Sequence, residues 1–182
     1  MSGKRGQMLL SPRSNAALAQ QLRSAEGAPL GETFSFVSGL YFRGKLAYAR
    51  AFGKPVAARP AAFIISAGGG LCDLDERVHA ARLLGWASVS IDDQNPHFAV
   101  PLVRHTSALL DAYPESARFV LLGSLASNKY VAPLLEVLGE RALFPSLFLG
   151  MGDMQRGALL LQAAREGREL AYEPLSGARR RW

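Results

Sequence analysis

One arrangement recurs along this chain and constrains its fold more than any other feature. A short apolar or β-branched run meets glycine, serine or aspartate, and a helical pattern comes next. Thr33–Val37 reads as a strand closed by Ser38-Gly39, with a helix over Lys45–Phe52. Ala62–Ser66 reads as a buried strand closed by Ala67-Gly68-Gly69-Gly70. A helix over Asp75–Leu84 comes after it, its first turn acidic as the helix dipole prefers. Trp86–Ile91 reads as a strand that ends in Asp92-Asp93, ahead of a helix over Phe98–Ala112. Arg118–Leu122 ends in Gly123-Ser124, ahead of a helix over Ser127–Leu138. Ala142–Leu149, interrupted by Pro145, ends in Gly150-Met151-Gly152-Asp153, ahead of a helix over Met154–Glu166. Glu169–Pro174 reads as a last edge strand. Strands alternating with helices at this spacing predict βαβ units. The expected fold class is α/β: a three-layer, Rossmann-like domain with a mostly parallel sheet flanked by helices.

Length and composition agree with one such domain. The 182 residues are 49% hydrophobic and 20% charged, which excludes wholesale disorder. No run approaches the roughly 18 apolar residues of a membrane span. The apolar stretch Met8-Leu9-Leu10 is too short for a signal-peptide core. The expected organisation is an N-terminal segment over 1–30 with one helix (Asn15–Glu26), a single α/β domain over 31–175 and a basic tail over 176–182. Residues 1–11 read as loose. The net charge of +6 belongs to the ends, because residues 31–178 hold 14 basic and 14 acidic side chains. Basic termini can grip phosphates by releasing counterions, or simply stay solvated. Cys72 is the single cysteine. No disulfide framework and no multi-cysteine zinc site can be built from it, and the expected compartment is a reducing cytoplasm.

In open α/β sheets, ligands bind outside the carboxyl ends of the strands. The candidate site residues are therefore those that close each strand. Ser66, Gly68, Gly69 and Gly70 form the longest such stretch. Glycine lets backbone N–H groups approach a ligand, and a helix start behind it favours an anion. The same stretch can be a tight turn that merely needs flexibility. It has neither the G-x-G-x-x-G fingerprint nor a Walker lysine. Gly150, Gly152, Gln155 and Arg156 form a second cradle, in which Gln155 and Arg156 can read a base or a phosphate. Asp153 either caps the helix there or opposes a phosphate. Gly123 and Ser124 form a third. Ser124 can contact a phosphate or hydroxyl; as a nucleophile it lacks the G-x-S-x-G elbow. Lys129 lies near the start of the next helix, or is an ordinary exposed lysine.

Asp92 and Asp93, with Ser124, are the catalytic candidates. The two carboxylates can bind ribose hydroxyls, hold Mg²⁺ or supply a general base. With Asn95 and Pro96 they can equally form a turn and an N-cap. Tyr41 can stack a base while Arg43 or Lys45 pairs with its phosphate, or it can join Phe42 in an aromatic core. His79, His97 and His105 are scattered, with His97 and His105 eight apart, so no zinc site is expected and none of them is a metal candidate.

These blocks also carry a resemblance. Ser38-Gly39-Leu40-Tyr41-Phe42-Arg43-Gly44-Lys45, and the L-F-P-x-x-F-x-G-x-G-D-M pattern of Leu143 to Met154, resemble motifs of a bacterial family of unknown function. More distantly, the order of blocks is similar to that of YaaA-like and related nucleobase-associated α/β domains. The matching residues are Leu40-Tyr41, Ile64 through Leu71, Tyr130 through Leu135, and Pro145 through Gly150, Gly152 and Gln155. Two departures stand out: Gly68 and Gly69 replace a bulkier polar pair, and the glycine near Tyr41 sits one place late. The resemblance covers about residues 34–160. It implies an α/β fold and a nucleobase-like ligand, and no particular reaction.

The functional expectation is a cytoplasmic protein that binds a nucleotide or nucleobase. It extends to an enzyme acting on an N-glycosidic or phosphate bond, with Asp92 or Asp93 as acid/base. The alternatives are a non-enzymatic accessory that grips single-stranded nucleic acid through its basic termini, and a protein-interaction module. No membrane partner is expected.

Overall fold

The computed structural model describes residues 3–57, 59–125 and 128–178, and it corrects the expected fold class. Of the described residues 55% are helical, and the strands among them form sheets of 2–3 members, not a three-layer Rossmann-like domain with a mostly parallel sheet. In chain order the elements are α1 (Lys4–Leu10), α2 (Ala17–Arg23), β1 (Ala28–Pro29), α3 (Leu30–Ser38), α4 (Leu40–Phe52), β2 (Phe63–Ser66), β3 (Gly70–Asp73) and β4 (Arg77–Val78). Then come α5 (Ala80–Ala87), α6 (Pro96–Ala112), β5 (Phe119–Val120), α7 (Asn128–Leu138), β6 (Ala142–Pro145), α8 (Asp153–Glu166), β7 (Tyr172–Pro174) and α9 (Leu175–Ala178). Short 3-10 turns occupy Gly139–Arg141 and Ser146–Phe148. Among the described residues no helix is long and apolar enough to cross a membrane.

Pairing is mostly antiparallel. β1 pairs with β4, β2 with β3, and β6 with β7; among the described residues β5–β6 is the parallel pair. A doubly wound sheet needs parallel neighbours joined by helical crossovers, and three of the expected units fail to supply them. Thr33–Val37 lies inside α3. Pro29 opens that helix, the buried Thr33 hydroxyl donates to the Pro29 carbonyl at 2.9 Å, and Gly39 closes it at φ +68°. Ala62–Ser66 is largely the strand expected, but Gly70 pairs back onto Ser66 across a three-residue turn. The glycines thus make a hairpin, not a strand-to-helix turn. Trp86–Ile91 begins as the last turn of α5, where Leu83 and Trp86 are buried on one face three residues apart. The expected edge strand, in contrast, is present as β7 beside β6.

Two hydrophobic clusters hold the molecule. The N-terminal one gathers Leu9, Leu22, Leu30, Ile64, Cys72, Val78, Leu83 and Trp86. The C-terminal one gathers Tyr48, Phe98, Leu102, Phe144, Phe148, Leu160 and Leu175 with their neighbours. Two elements stand between them. In the β2–β3 hairpin, Ile64 and Cys72 belong to the N-terminal cluster, while Ile65 and Leu71 pack on the C-terminal one. That division arises from the two-residue period of a strand. In α4, Phe42 packs with Phe34 at 5.4 Å between ring centroids on the N-terminal side, while Tyr41 and Tyr48 face the C-terminal side.

The α4–α8 crossing brings two backbones into contact. A Cβ added at Gly44 would lie 2.5 Å from the Gly157 carbonyl oxygen, and one added at Gly157 would lie 2.8 Å from the Tyr41 Cα. Only glycine at both positions lets the helices approach this closely. The crossing places the polar start of α8 against Tyr41 and Lys45, one turn apart on α4.

Candidate functional site

The second cradle read from the sequence, at the start of α8, is where the candidate residues converge. Gly150 turns the chain at φ +75° and Gly152 is the N-cap. Gly152 has no side chain to cover the first turn. Its own N–H donates to the Gln155 side-chain oxygen at 3.0 Å, and its carbonyl accepts from the Arg156 N–H at 3.0 Å. The N–H groups of Asp153, Met154 and Gln155 therefore have no acceptor within the helix or from its cap. The Gln155 side-chain oxygen thus serves as the cap of α8.

Arg156 is the central group. Its side chain is 4% exposed, and its guanidinium lies over the Phe148 ring, 5.5 Å from the centroid. From the fourth position of α8 a long side chain leans back toward the helix start. Its Nε has no hydrogen-bond partner among the described residues. Its carboxylate neighbour among those residues is Asp153, which is 70% exposed and stands 3.9 Å away. The Tyr41 hydroxyl is the guanidinium's other polar neighbour, and a buried donor left without a partner, here Nε, calls for an explanation.

Tyr41 and Lys45 complete the site from α4. The Tyr41 hydroxyl donates to the Leu122 carbonyl at 3.0 Å, which ties α4 to the segment carrying Gly123 and Ser124. Burial raises the Tyr41 phenol above its ordinary value, and the Arg156 guanidinium beside it pulls it part of the way back. The Lys45 ammonium sits 3.9 Å from the centre of the Tyr41 ring, a cation–π contact. That contact occupies one face of the ring, so Tyr41 is a support for Lys45 more than a stacking platform. Burial pushes the Lys45 amine down to about 8, with Asp153 opposing the shift and Arg156 adding to it. Spacing offered a sign of this pair: Tyr41 and Lys45 are four apart on a helix, with Gly44 between them.

The other candidates belong elsewhere in the fold. At the hairpin, the Gly69 N–H donates to the Ser66 Oγ at 2.9 Å, and that hydroxyl donates to the Gly70 carbonyl at 3.4 Å. Cβ atoms at Gly68 and Gly69 would run into the Trp86 indole, and one at Gly70 into the Pro101 carbonyl of α6. The space in front of these glycines is filled by protein. Asp92 and Asp93 follow no strand; they lie in the turn before α6. Asp92 accepts from the Gln94 N–H at 3.0 Å, and Asn95 caps α6 through the His97 N–H at 3.1 Å. Among the described residues no three His, Cys, Asp or Glu side chains gather as a metal site would require. Arg43 lines a shallow surface depression between α2, α3 and α4 that Lys45 does not line. Ser127 and the basic tail Arg179–Trp182 fall outside the described residues.

No protein-family model, curated protein or solved structure matches the chain.

Proposed function

We propose that this protein binds a small phosphate-bearing ligand of the nucleotide class at the start of α8. The observation that carries the reading is the buried Arg156 guanidinium, with its unpartnered Nε beside the uncovered N–H groups of a glycine-capped helix. A helix N-terminus and a buried arginine both favour a negative group, and arginine matches the geometry of phosphate oxygens. Lys45 adds a second cation from α4. Binding is favoured over bond cleavage, because neither Asp92 nor Asp93 is among the groups that act on Tyr41 or Lys45. A free thiol at Cys72 suits a reducing cytoplasm as the place of action.

The test is calorimetric titration of the protein with adenosine, adenosine monophosphate and inorganic phosphate at pH 7. The monophosphate is expected to bind, phosphate more weakly, and Arg156→Met to lower the monophosphate affinity at least ~10-fold, the effect of losing a charge-assisted hydrogen bond. Circular dichroism checks that the variant is folded. Equal affinity in wild type and a folded Arg156→Met, or tighter binding of adenosine than of the monophosphate, would remove this reading.

A further inference from the structure

We infer that the α8 site selects a dianionic phosphate monoester over a diester, and that it takes up a proton on Lys45 as it does so. The inference rests on the proposed function above and names the ligand's charge state.

Charge balance at a fixed place decides the preference. Two cations, Lys45 from α4 and Arg156 from α8, repel each other at the crossing where the Gly44 and Gly157 backbones touch. The positive end of α8 adds to them. Among the described residues the carboxylate that faces them is Asp153. The groups that bear on the Lys45 ammonium are few. From α4 there is the Tyr41 ring; from α8 there are Asp153, which favours its charge, and Arg156, which opposes it. Asp153 is largely exposed and can turn away into water. A monoanion would do little more than take its place, whereas a dianion compensates both cations. A nucleic-acid backbone offers only diesters, so the same balance separates a free nucleotide from a strand.

Proton uptake is the consequence. In the unliganded protein, burial and Arg156 hold the Lys45 amine near 8, so it is partly neutral at pH 8. A dianion beside it favours the charged form and raises its pKa. By linkage, affinity is constant well below pH 8, falls as the pH rises through it, and levels off above the pKa of the bound state.

Sulfate is the probe, because it is a dianion that does not itself titrate in this range. Calorimetry at pH 8 in two buffers of different ionisation enthalpy reads the protons exchanged. About half a proton is expected to be taken up per sulfate bound, with affinity falling ~10-fold between pH 7 and pH 9.5, on the scale of one charge-assisted contact. Dimethyl phosphate, a monoanionic diester, is expected to bind at least ~10-fold more weakly. Lys45→Arg is expected to bind sulfate with no proton exchange and a flat pH profile; Lys45→Met serves as the neutral form, with circular dichroism reporting its fold. Sulfate binding without proton uptake, or dimethyl phosphate binding as tightly as sulfate, overturns this inference and leaves the anion site standing. Failure of both sulfate and adenosine monophosphate to bind the wild type overturns the two together.

Discussion

Glycine does different work in the two halves of this molecule. In the β2–β3 hairpin, Gly68 and Gly69 make room for a side chain, the Trp86 indole. At the α4–α8 crossing, Gly44 and Gly157 make room for each other's backbone. A side chain can yield by a change of rotamer, but a backbone within a helix can yield only if the helix moves. The α4–α8 crossing is therefore a stiff place to hold charged groups, and the converging candidate residues lie there; in the hairpin the same stiffness is confined to Gly70, where a Cβ would meet the Pro101 carbonyl of α6. The hairpin glycines, whose sequence looks more like a ligand loop, are used up in packing.

The contrast can be broken by adding one methyl group on each side. Gly157→Ala is expected to destabilise the protein by about 3 kcal/mol, even after the gain of up to ~1 kcal/mol from replacing a helical glycine. Gly69→Ala is expected to cost about 1 kcal/mol, because the indole and the Ser66 hydroxyl can shift. Urea denaturation of both variants reads the difference directly, and a larger loss at Gly69 would reverse the comparison.

Next in size is the pH dependence contributed by Lys45. Its native pKa of about 8 lies below the ~10.4 of a free lysine. Between those values the unfolded chain binds more protons than the native one, so stability rises with pH across that window. The expected gain from pH 8 to pH 10.5 is about 2 kcal/mol relative to Lys45→Met, in which the other groups cancel. Parallel pH profiles of stability for the two proteins would show that Lys45 is not held in a desolvated place.

The smallest effect is expected at the last turn of α4, where Arg50 and Asp75 pair at 3.1 Å with both side chains at least half exposed. Asp75→Ala is expected to cost less than about 0.5 kcal/mol, and less still in high salt. A loss comparable with that at the α4–α8 crossing would show that this surface pair also fixes an element.

Much of the helical framework is legible in the sequence. Asn95 and Pro96 mark the start of α6, and the Gly150-Met151-Gly152 run marks the start of α8. In each case the signal is local: a cap, a proline at the first helical position, or a glycine just outside the helix. The same locality explains the misreadings. Thr33–Val37 and Trp86–Ile91 are short apolar runs, which periodicity cannot assign to strand or helix. At Gly68–Gly70 the strand is legible but its partner is not. Whether a chain leaving a strand turns back as a hairpin or enters a helix depends on what it packs against, here Trp86 and α6.

The candidate site divides in the same way. The sequence by itself determined the residue types: a glycine cap with an arginine four places on, and a tyrosine and lysine one helical turn apart. Those are properties of neighbours along the chain, and local backbone geometry is enough to place them on one turn. Only the tertiary structure decided that these two turns face each other, that Arg156 is buried with no partner for its Nε among the described residues, that Asp92 is not among the groups acting on Tyr41 or Lys45, and that the hairpin glycines are packed against Trp86 and α6. Those facts depend on how α4 and α8 cross, which is set by close packing between residues more than a hundred positions apart.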